Sequence, residues 1–159
     1  MRKILPILLL ALLSLMSACQ PITLPSAQSN GAVAQQNIKT PVPGSQFNKL
    51  FPKKEGDFDL VYTQEKLGFV EAKLNKKGEE AATLAISDTA TNPSAAEKYK
   101  TAAQKIGGYP AVAVGDNGTA ILVADRFQVQ IRSKQASFTA SDRETWLTKF
   151  DLAGLAALK

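Results

Sequence analysis

The sequence contains no histidine, a single cysteine, Cys19, and a single tryptophan, Trp146. The missing histidine removes the commonest general base, metal ligand and charge switch near neutral pH. With one cysteine no disulfide can form within the chain, and no serine stands in a pattern that indicates a base partner. Catalysis needs a nucleophile, a base and an orienting group together, so we predict a protein that is not an enzyme and that holds no cofactor.

Long runs of one charge are also absent. Lys and Arg number 19 against 14 Asp and Glu, a net charge of +5, and the basic doublets at positions 53–54 and 76–77 lie beside acidic residues. Nucleic-acid binding requires a continuous basic surface with interleaved aromatic residues, so it is not expected. Glu55, Asp57 and Asp59 lack the Asp-x-Asp-x-Asp-Gly spacing of a calcium loop, and we interpret them as the solvated start of a strand, with no metal site.

The first nineteen residues combine three features of an export signal. Arg2 and Lys3 form a positive segment, residues 4–15 are uncharged and mostly apolar, and the small residues Ser17 and Ala18 follow. The apolar run is shorter than the roughly 20 residues that a membrane-spanning helix needs. We therefore predict that residues 1–18 are a signal peptide that is removed.

Residues 16–19, Met-Ser-Ala-Cys, resemble the lipobox of bacterial lipoproteins. The resemblance implies that the thiol of Cys19 receives a diacylglyceryl group and that the new amino group is acylated, for example with palmitate. Two or three acyl chains anchor a protein stably to a membrane. The protein would then face the periplasm or the exterior, and Gln20 favours the outer membrane over the inner one if the organism has both. The alternative is an ordinary secretory signal beside a free thiol.

Residues 19–46 are predicted to form a flexible tether between the lipid and a folded domain. This stretch holds four prolines, many Ser, Gln, Ala and Thr residues, and one charged residue, Lys39. It has too few large apolar residues to offset the entropy lost on ordering. Residues 47–159 remain, and their number is typical of a single domain.

The pattern in the folded part alternates between strand and helix. Alternation of apolar and polar residues predicts strands at residues 58–62, 69–74, 83–87, 111–114, 119–124 and 126–134. An Asn-Gly pair at residues 117–118 is predicted to lie at the tip of one hairpin.

Helical spacing of apolar residues predicts a helix over residues 94–106, ended by two glycines. A second helix is predicted to open with a capping box from Ser141 to Glu144, and a short last helix follows, capped by Asp151. We expect an α+β fold with an antiparallel sheet of about five strands and two main helices packed on one face. The size and element order loosely resemble those of PsbP/Mog1-like domains, some of which are lipid-anchored accessory proteins in cyanobacteria. The resemblance carries over no site residues.

Strict alternation over residues 126–134 indicates a strand with one buried and one solvated face. Phe127, Val129 and Ile131 are predicted to face inward. The long polar side chains between them would form a stripe of donors and positive charge, and we predict that this stripe is a partner-binding face: Arg126, Gln128, Gln130, Arg132 and Lys134.

Two functions remain open at this point. The first is a non-catalytic accessory or assembly module that binds another envelope protein, held near its partner by the lipid. The second is a carrier or sensor of a small ligand, which needs a cavity between sheet and helices lined by residues such as Tyr62, Tyr99 and Phe127.

Overall fold

The computed structural model describes residues 39–158. The predicted signal peptide, the lipid attachment at Cys19 and the tether as far as residue 38 lie outside the described residues. The packed domain begins before residue 47, where the sequence analysis placed its start. Val42 is buried, and a single helical turn, α1 (Ser45–Asn48), places Phe47 in the core with no exposed surface.

A seven-stranded antiparallel sheet forms the centre of the domain, in the spatial order β1-β2-β3-β7-β6-β5-β4. The α+β class is confirmed, but the expected count of about five strands is too low. The strands are β1 (Phe58–Lys66), β2 (Phe69–Lys76), β3 (Glu79–Asp88), β4 (Gln104–Ile106), β5 (Tyr109–Ala113), β6 (Gly118–Val123) and β7 (Phe127–Ser133). Two meanders, β1–β3 and β4–β7, are joined by pairing between β3 and β7.

The prediction of a helix over residues 94–106 is wrong. Pro93–Tyr99 forms 3₁₀ turns, and Gln104–Ile106 is strand β4. Ile106 pairs with Tyr109, which leaves Gly107 and Gly108 as a two-residue turn with φ of +59° and +87°. Positive φ at both central residues is what a tight hairpin turn requires, so the two glycines turn a hairpin instead of ending a helix.

Three short α-helices pack on one face of the sheet: α1, α2 (Ala140–Leu147) and α3 (Leu152–Ala156). The 3₁₀ segment lies on the opposite face, where Tyr99 packs against Ala120 and Leu122. The expectation of two main helices on a single face is therefore replaced by three helices on one face and a 3₁₀ segment on the other. Within residues 39–158, no helix has the length and apolar character needed to cross a membrane.

The caps of α2 and α3 agree only in part with those predicted from the sequence. The capping box of α2 is formed by Thr139 and Asp142, not by Ser141 and Glu144, because the helix begins earlier than predicted. The cap of α3 is as predicted: Asp151 accepts a hydrogen bond from the backbone N–H of Gly154 at 2.8 Å.

The predicted hairpin is confirmed as β5–β6, but it turns through residues 114–117, so the prediction of Asn117-Gly118 at its tip is wrong. Gly118 begins β6 and takes no positive φ; Gly115 does, at +62°. A Cβ atom at position 118 would collide with the carbonyl oxygen of Val114, so this glycine serves close backbone approach.

A candidate partner-binding face

The face of the sheet opposite the α-helices is left open over β2, β3 and β7. We call this surface the open face and define it by nine side chains that alternate with core residues along the three strands. They are Phe69, Glu71 and Lys73 on β2, Thr83, Ala85 and Ser87 on β3, and Gln128, Gln130 and Arg132 on β7.

Strand register arranges these side chains in three rows. In the first row Ser87 lies between Phe69 and Gln128. The second places Ala85 between Glu71 and Gln130, and the third places Thr83 between Lys73 and Arg132. The middle strand therefore carries only small side chains, and the strands beside it carry long ones.

This difference in side-chain size produces a shallow hollow of about 180 Å³ along β3. Eight of the nine side chains of the open face line it; Lys73 does not. The floor combines a methyl group and two hydroxyl groups, while the walls present an aromatic ring, amide groups and charges. An extended chain segment laid along β3 would find hydrogen-bonding groups on both sides of this hollow.

The structure brings three of the five predicted stripe residues together. Gln128, Gln130 and Arg132 are half-buried neighbours on the open face. Lys134 is exposed and follows the end of β7. The expected exposure of Arg126 is wrong, because its side chain is only 7% exposed and forms a 2.8 Å ion pair with fully buried Asp88.

Arg126 lies inside because the alternation of β7 does not extend back to it. It follows Ala124 and Asp125, which both have φ of +52° and form the turn between β6 and β7. Its Nε and Nη2 atoms donate to the two carboxylate oxygens of Asp88, and Nη2 also donates to the carbonyl oxygen of Thr40. Arg126 therefore holds the segment around Thr40, which enters the domain, against the sheet. It is not part of a docking surface.

The amide groups of the open face are held in place by hydrogen bonds. The hydroxyl of Tyr99 donates to Oε1 of Gln128 at 3.0 Å, and Nε2 of Gln128 donates to Gln130 at 3.3 Å. Burial raises the pKa of Tyr99 well above its ordinary value, so this hydroxyl stays a donor under physiological conditions. The orientation of both glutamines thus depends on the 3₁₀ segment.

Arg132 lies at the end of the hollow, and Lys98, which the sequence analysis did not select, lies on the 3₁₀ segment with its Nζ 5.2 Å from the centre of the Tyr99 ring. Burial, and secondarily the charge of Arg132, lowers the pKa of Lys98. No acidic side chain of the described residues lies within 4.0 Å of either cation. Lys98 stands 34 positions before Arg132, and no pattern along the chain indicates that the charge of one affects the other.

The acidic groups around this surface already have partners. Glu80 pairs with Lys73 at 2.8 Å, and this hydrogen bond lowers the pKa of Glu80. Glu71 accepts a 2.9 Å hydrogen bond from the hydroxyl of Thr63. A hydroxyl group does not neutralise the charge of Glu71, so the open face carries a negative charge in its middle row and an unpaired positive charge at its Arg132 end.

The acidic residues near the start of β1, which the sequence analysis considered as a possible metal site, lie apart from the open face. Glu55 pairs with Lys149 and Asp57 with Lys77, and residues 39–158 contain no group of three side chains arranged to hold a metal ion.

The three aromatic residues expected to line a cavity do not meet. Tyr62 is 46% exposed, and the hydroxyl of its side chain donates to the carbonyl oxygen of Asn48. Phe127 is buried under the α-helices, whereas Tyr99 belongs to the separate cluster on the opposite face.

No family model, curated protein sequence or solved structure matches this chain. The resemblances to lipoprotein signals and to PsbP/Mog1-like domains stay predictions. Function is therefore inferred from the geometry and charge of the described residues, together with the N-terminal sequence.

Proposed function

We propose that this protein is a lipid-anchored protein of the bacterial cell envelope that binds another envelope protein and catalyses no reaction. Support for the anchor comes from the sequence of residues 1–19, with Cys19 as the lipidated residue. Support for binding comes from the open face, and a single observation carries it: Arg132 lines the hollow along β3 and has no acidic partner within 4.0 Å among the described residues.

The partner that fits this surface is an extended protein segment carrying carboxylate groups. Small side chains on β3 leave room for a backbone, and Gln128 and Gln130 supply donors and acceptors along the wall of the hollow. A carboxylate near Arg132 and Lys98 would relieve their mutual repulsion. A lipid tether would raise the local concentration of a partner held in the same membrane.

Charge reversal of the two cations tests this proposal. The double variant Lys98→Glu and Arg132→Glu should lose partner recovery after cross-linking in intact cells, because like charges at an interface cost several kcal/mol. The matched control reverses Lys53 and Lys54, which are exposed and have the same total charge. Equal recovery from both double variants would contradict the assignment of the open face. Arg126 is left unchanged because its reversal would disrupt the core.

The anchor is tested separately from the binding face. Cells grown with labelled palmitate should transfer label to the wild-type protein and none to a Cys19→Ser variant. Label on both proteins would contradict attachment through Cys19. Because this readout does not depend on the partner, failure of one part of the proposal leaves the other part measurable.

A small-ligand carrier is the second candidate function, and one observation favours it. The 3₁₀ segment and strands β5 and β6 enclose a mostly apolar hollow of about 290 Å³, whose lining includes Tyr99, Leu122, Ala96, Pro93 and Pro110. A hollow of this size holds a small apolar molecule. Native mass spectrometry of the protein from its own envelope distinguishes the two functions. A bound mass of a few hundred daltons favours the carrier, and the mass of a protein favours the accessory role.

A further inference from the structure

Within residues 39–158, the buried arginine on α2 has no acidic partner. Arg143 is only 8% exposed, and no carboxylate of the described residues lies within 4.0 Å of its guanidinium group. Arg126, the other buried arginine, is by contrast paired with Asp88. A buried positive charge without a counter-ion is costly, which makes Arg143 the unusual one of the two.

Neutral hydroxyl groups position the guanidinium of Arg143. Its Nε donates to Oγ1 of Thr119 at 2.9 Å, and its Nη1 donates to Oγ of Ser133 at 2.8 Å. The hydroxyl of Ser133 donates in turn to the carbonyl oxygen of Phe138 at 2.6 Å. These bonds hold the guanidinium in one orientation at the edge of the sheet where β6 begins and β7 ends. They do not neutralise its charge.

The rest of the guanidinium is available to a ligand. Arginine has five N–H groups, and two of them are used in the bonds to Thr119 and Ser133. Nη2 makes no hydrogen bond with the described residues and is not sealed from solvent. Arg143 also lines a cavity of about 400 Å³ between the β5–β6 turn and the segment that leads from β7 into α2.

The lining of this cavity is about half polar and carries an excess of one positive charge. Lys134 adds a second cation, Asp116 adds a negative charge, and Asn117 and Thr139 add neutral polar groups. The amide of Asn117 donates to the carbonyl oxygen of Ser133, and this bond fixes that wall. An anion entering the cavity would therefore meet an oriented guanidinium, a mobile ammonium group and one opposing carboxylate.

We propose that this cavity binds an oxyanion, the carboxylate or phosphate group of a small molecule, with Arg143 as the main ligand-binding residue. The planar guanidinium offers two parallel donors to such a group, which is the strongest neutralisation available to a buried arginine. The site lies on the α2 side of the sheet and is distinct from the open face. Its occupancy is independent of whether the open face binds a protein.

Tryptophan fluorescence of the full chain in detergent can detect binding. Trp146, the single tryptophan, follows Arg143 by three positions on α2, so it lies on the same side of the helix. Potassium phosphate and sodium succinate are titrated separately at constant ionic strength, with chloride as the reference salt. We expect a saturable change with phosphate or succinate and none with chloride. A response to neither anion beyond that to chloride would overturn the proposal.

Two surface substitutions test the location of the site: one removes a positive charge from the cavity and the other removes a negative charge. Lys134→Gln should weaken binding about three- to tenfold and Asp116→Asn should strengthen it by a similar factor, as expected for removing one charge near the anion. Lys54→Gln, far along the chain and exposed, is the control for net charge. Unchanged affinity in both cavity variants would place the anion elsewhere and overturn the assignment.

Arg143→Lys tests the guanidinium itself. A lysine keeps the charge but loses the paired donors, and we expect at least about a tenfold loss of affinity. Unaltered affinity in a folded Arg143→Lys protein would overturn the role of this residue. If the Arg143→Lys variant does not fold, the affinities of Lys134→Gln and Asp116→Asn decide whether the anion binds in this cavity.

Discussion

Replacing Asp88 with asparagine should destabilise the domain more than any single surface change. The two carboxylate oxygens of Asp88 accept four hydrogen bonds: from Nε and Nη2 of Arg126, and from the backbone N–H groups of Val42 and Ala90. An asparagine keeps one acceptor oxygen and puts an NH₂ group in the place of the other. Two donors then face a donor, and the buried charge of Arg126 loses its counter-ion.

The expected loss in the free energy of unfolding is about 3–5 kcal/mol, the usual effect of breaking a buried ion pair. A domain of this size has a total stability of about 5–15 kcal/mol, so a large fraction would be lost. With a urea m-value of about 2 kcal/mol per molar, the midpoint should fall by roughly 2 M. Trp146 is 5% exposed in the core and reports the transition by its fluorescence.

The pH dependence has a definite sign. Burial alone would raise the pKa of Asp88, but the hydrogen bonds from Arg126, Val42 and Ala90 outweigh it and hold the pKa below 3.8. The ionised carboxylate therefore contributes stability above its unfolded pKa, and this contribution is lost as the pH falls through the lowered folded pKa. The difference between wild type and Asp88→Asn should be constant from about pH 8 to about pH 5 and shrink below about pH 4.

Two further variants test the role assigned to the buried pair of Asp88 and Arg126. Adding Arg126→Met to Asp88→Asn removes the unpaired charge, so the double variant should regain part of the lost stability. Asp57→Asn, which affects only an exposed pair with Lys77 at 3.6 Å, should leave the midpoint unchanged. A loss below about 1 kcal/mol in Asp88→Asn, or a pH-independent one down to about pH 2, would show that the buried pair does not hold the entering chain.

Three other changes follow from the structure. Thr139→Ala removes the side-chain cap that accepts from the backbone N–H of Asp142 and should cost about 1 kcal/mol in urea unfolding; no change would mean that α2 needs no cap. Phe47→Ala removes a fully buried ring, so it should cost about 3–5 kcal/mol in the same assay; a small cost would place residue 47 outside the core. Arg132→Gln should raise the pKa of Lys98 in an NMR titration, and an unchanged pKa would contradict a repulsion between the two side chains.

Alternation along single strands predicted much of the sheet correctly. Phe127, Val129 and Ile131 are fully buried, as the pattern of β7 indicates, and β2 buries Val70, Ala72 and Leu74 in the same way. A period of two residues follows directly from strand geometry, so it survives without knowledge of the neighbouring strands. It fails at Arg126 because β7 begins only at Phe127 and the preceding turn sets the direction of the Arg126 side chain.

The segment after Pro93 shows why helical periodicity was misleading. Tyr99 and Ile106 were expected on one helix face, but Tyr99 packs against Leu122 on one side of the sheet and Ile106 joins the core on the other. Pairing of β4 with β5 satisfies backbone groups that a helix would have satisfied internally, and Gly107-Gly108 makes the hairpin turn easy. Spacing along the chain cannot distinguish these outcomes, because the choice depends on where β5 lies.

The open face exists because of the order of elements along the chain. α1 precedes the first meander, and α2 and α3 follow the second, so all three reach the same side of the sheet. Among the described residues, the segment between the meanders crosses to the other side; its seven 3₁₀ residues pack mainly on β5 and β6, and the Tyr99 hydroxyl reaches Gln128 on β7. A longer helix there would have covered β7 and β3 as well. The last residue of this segment, Tyr99, orients Gln128 through its hydroxyl, and the charge of Arg132 acts on Lys98 beside it in the segment. The short connection therefore both exposes the face and supplies part of its chemistry, which favours a binding role over a purely solvated surface.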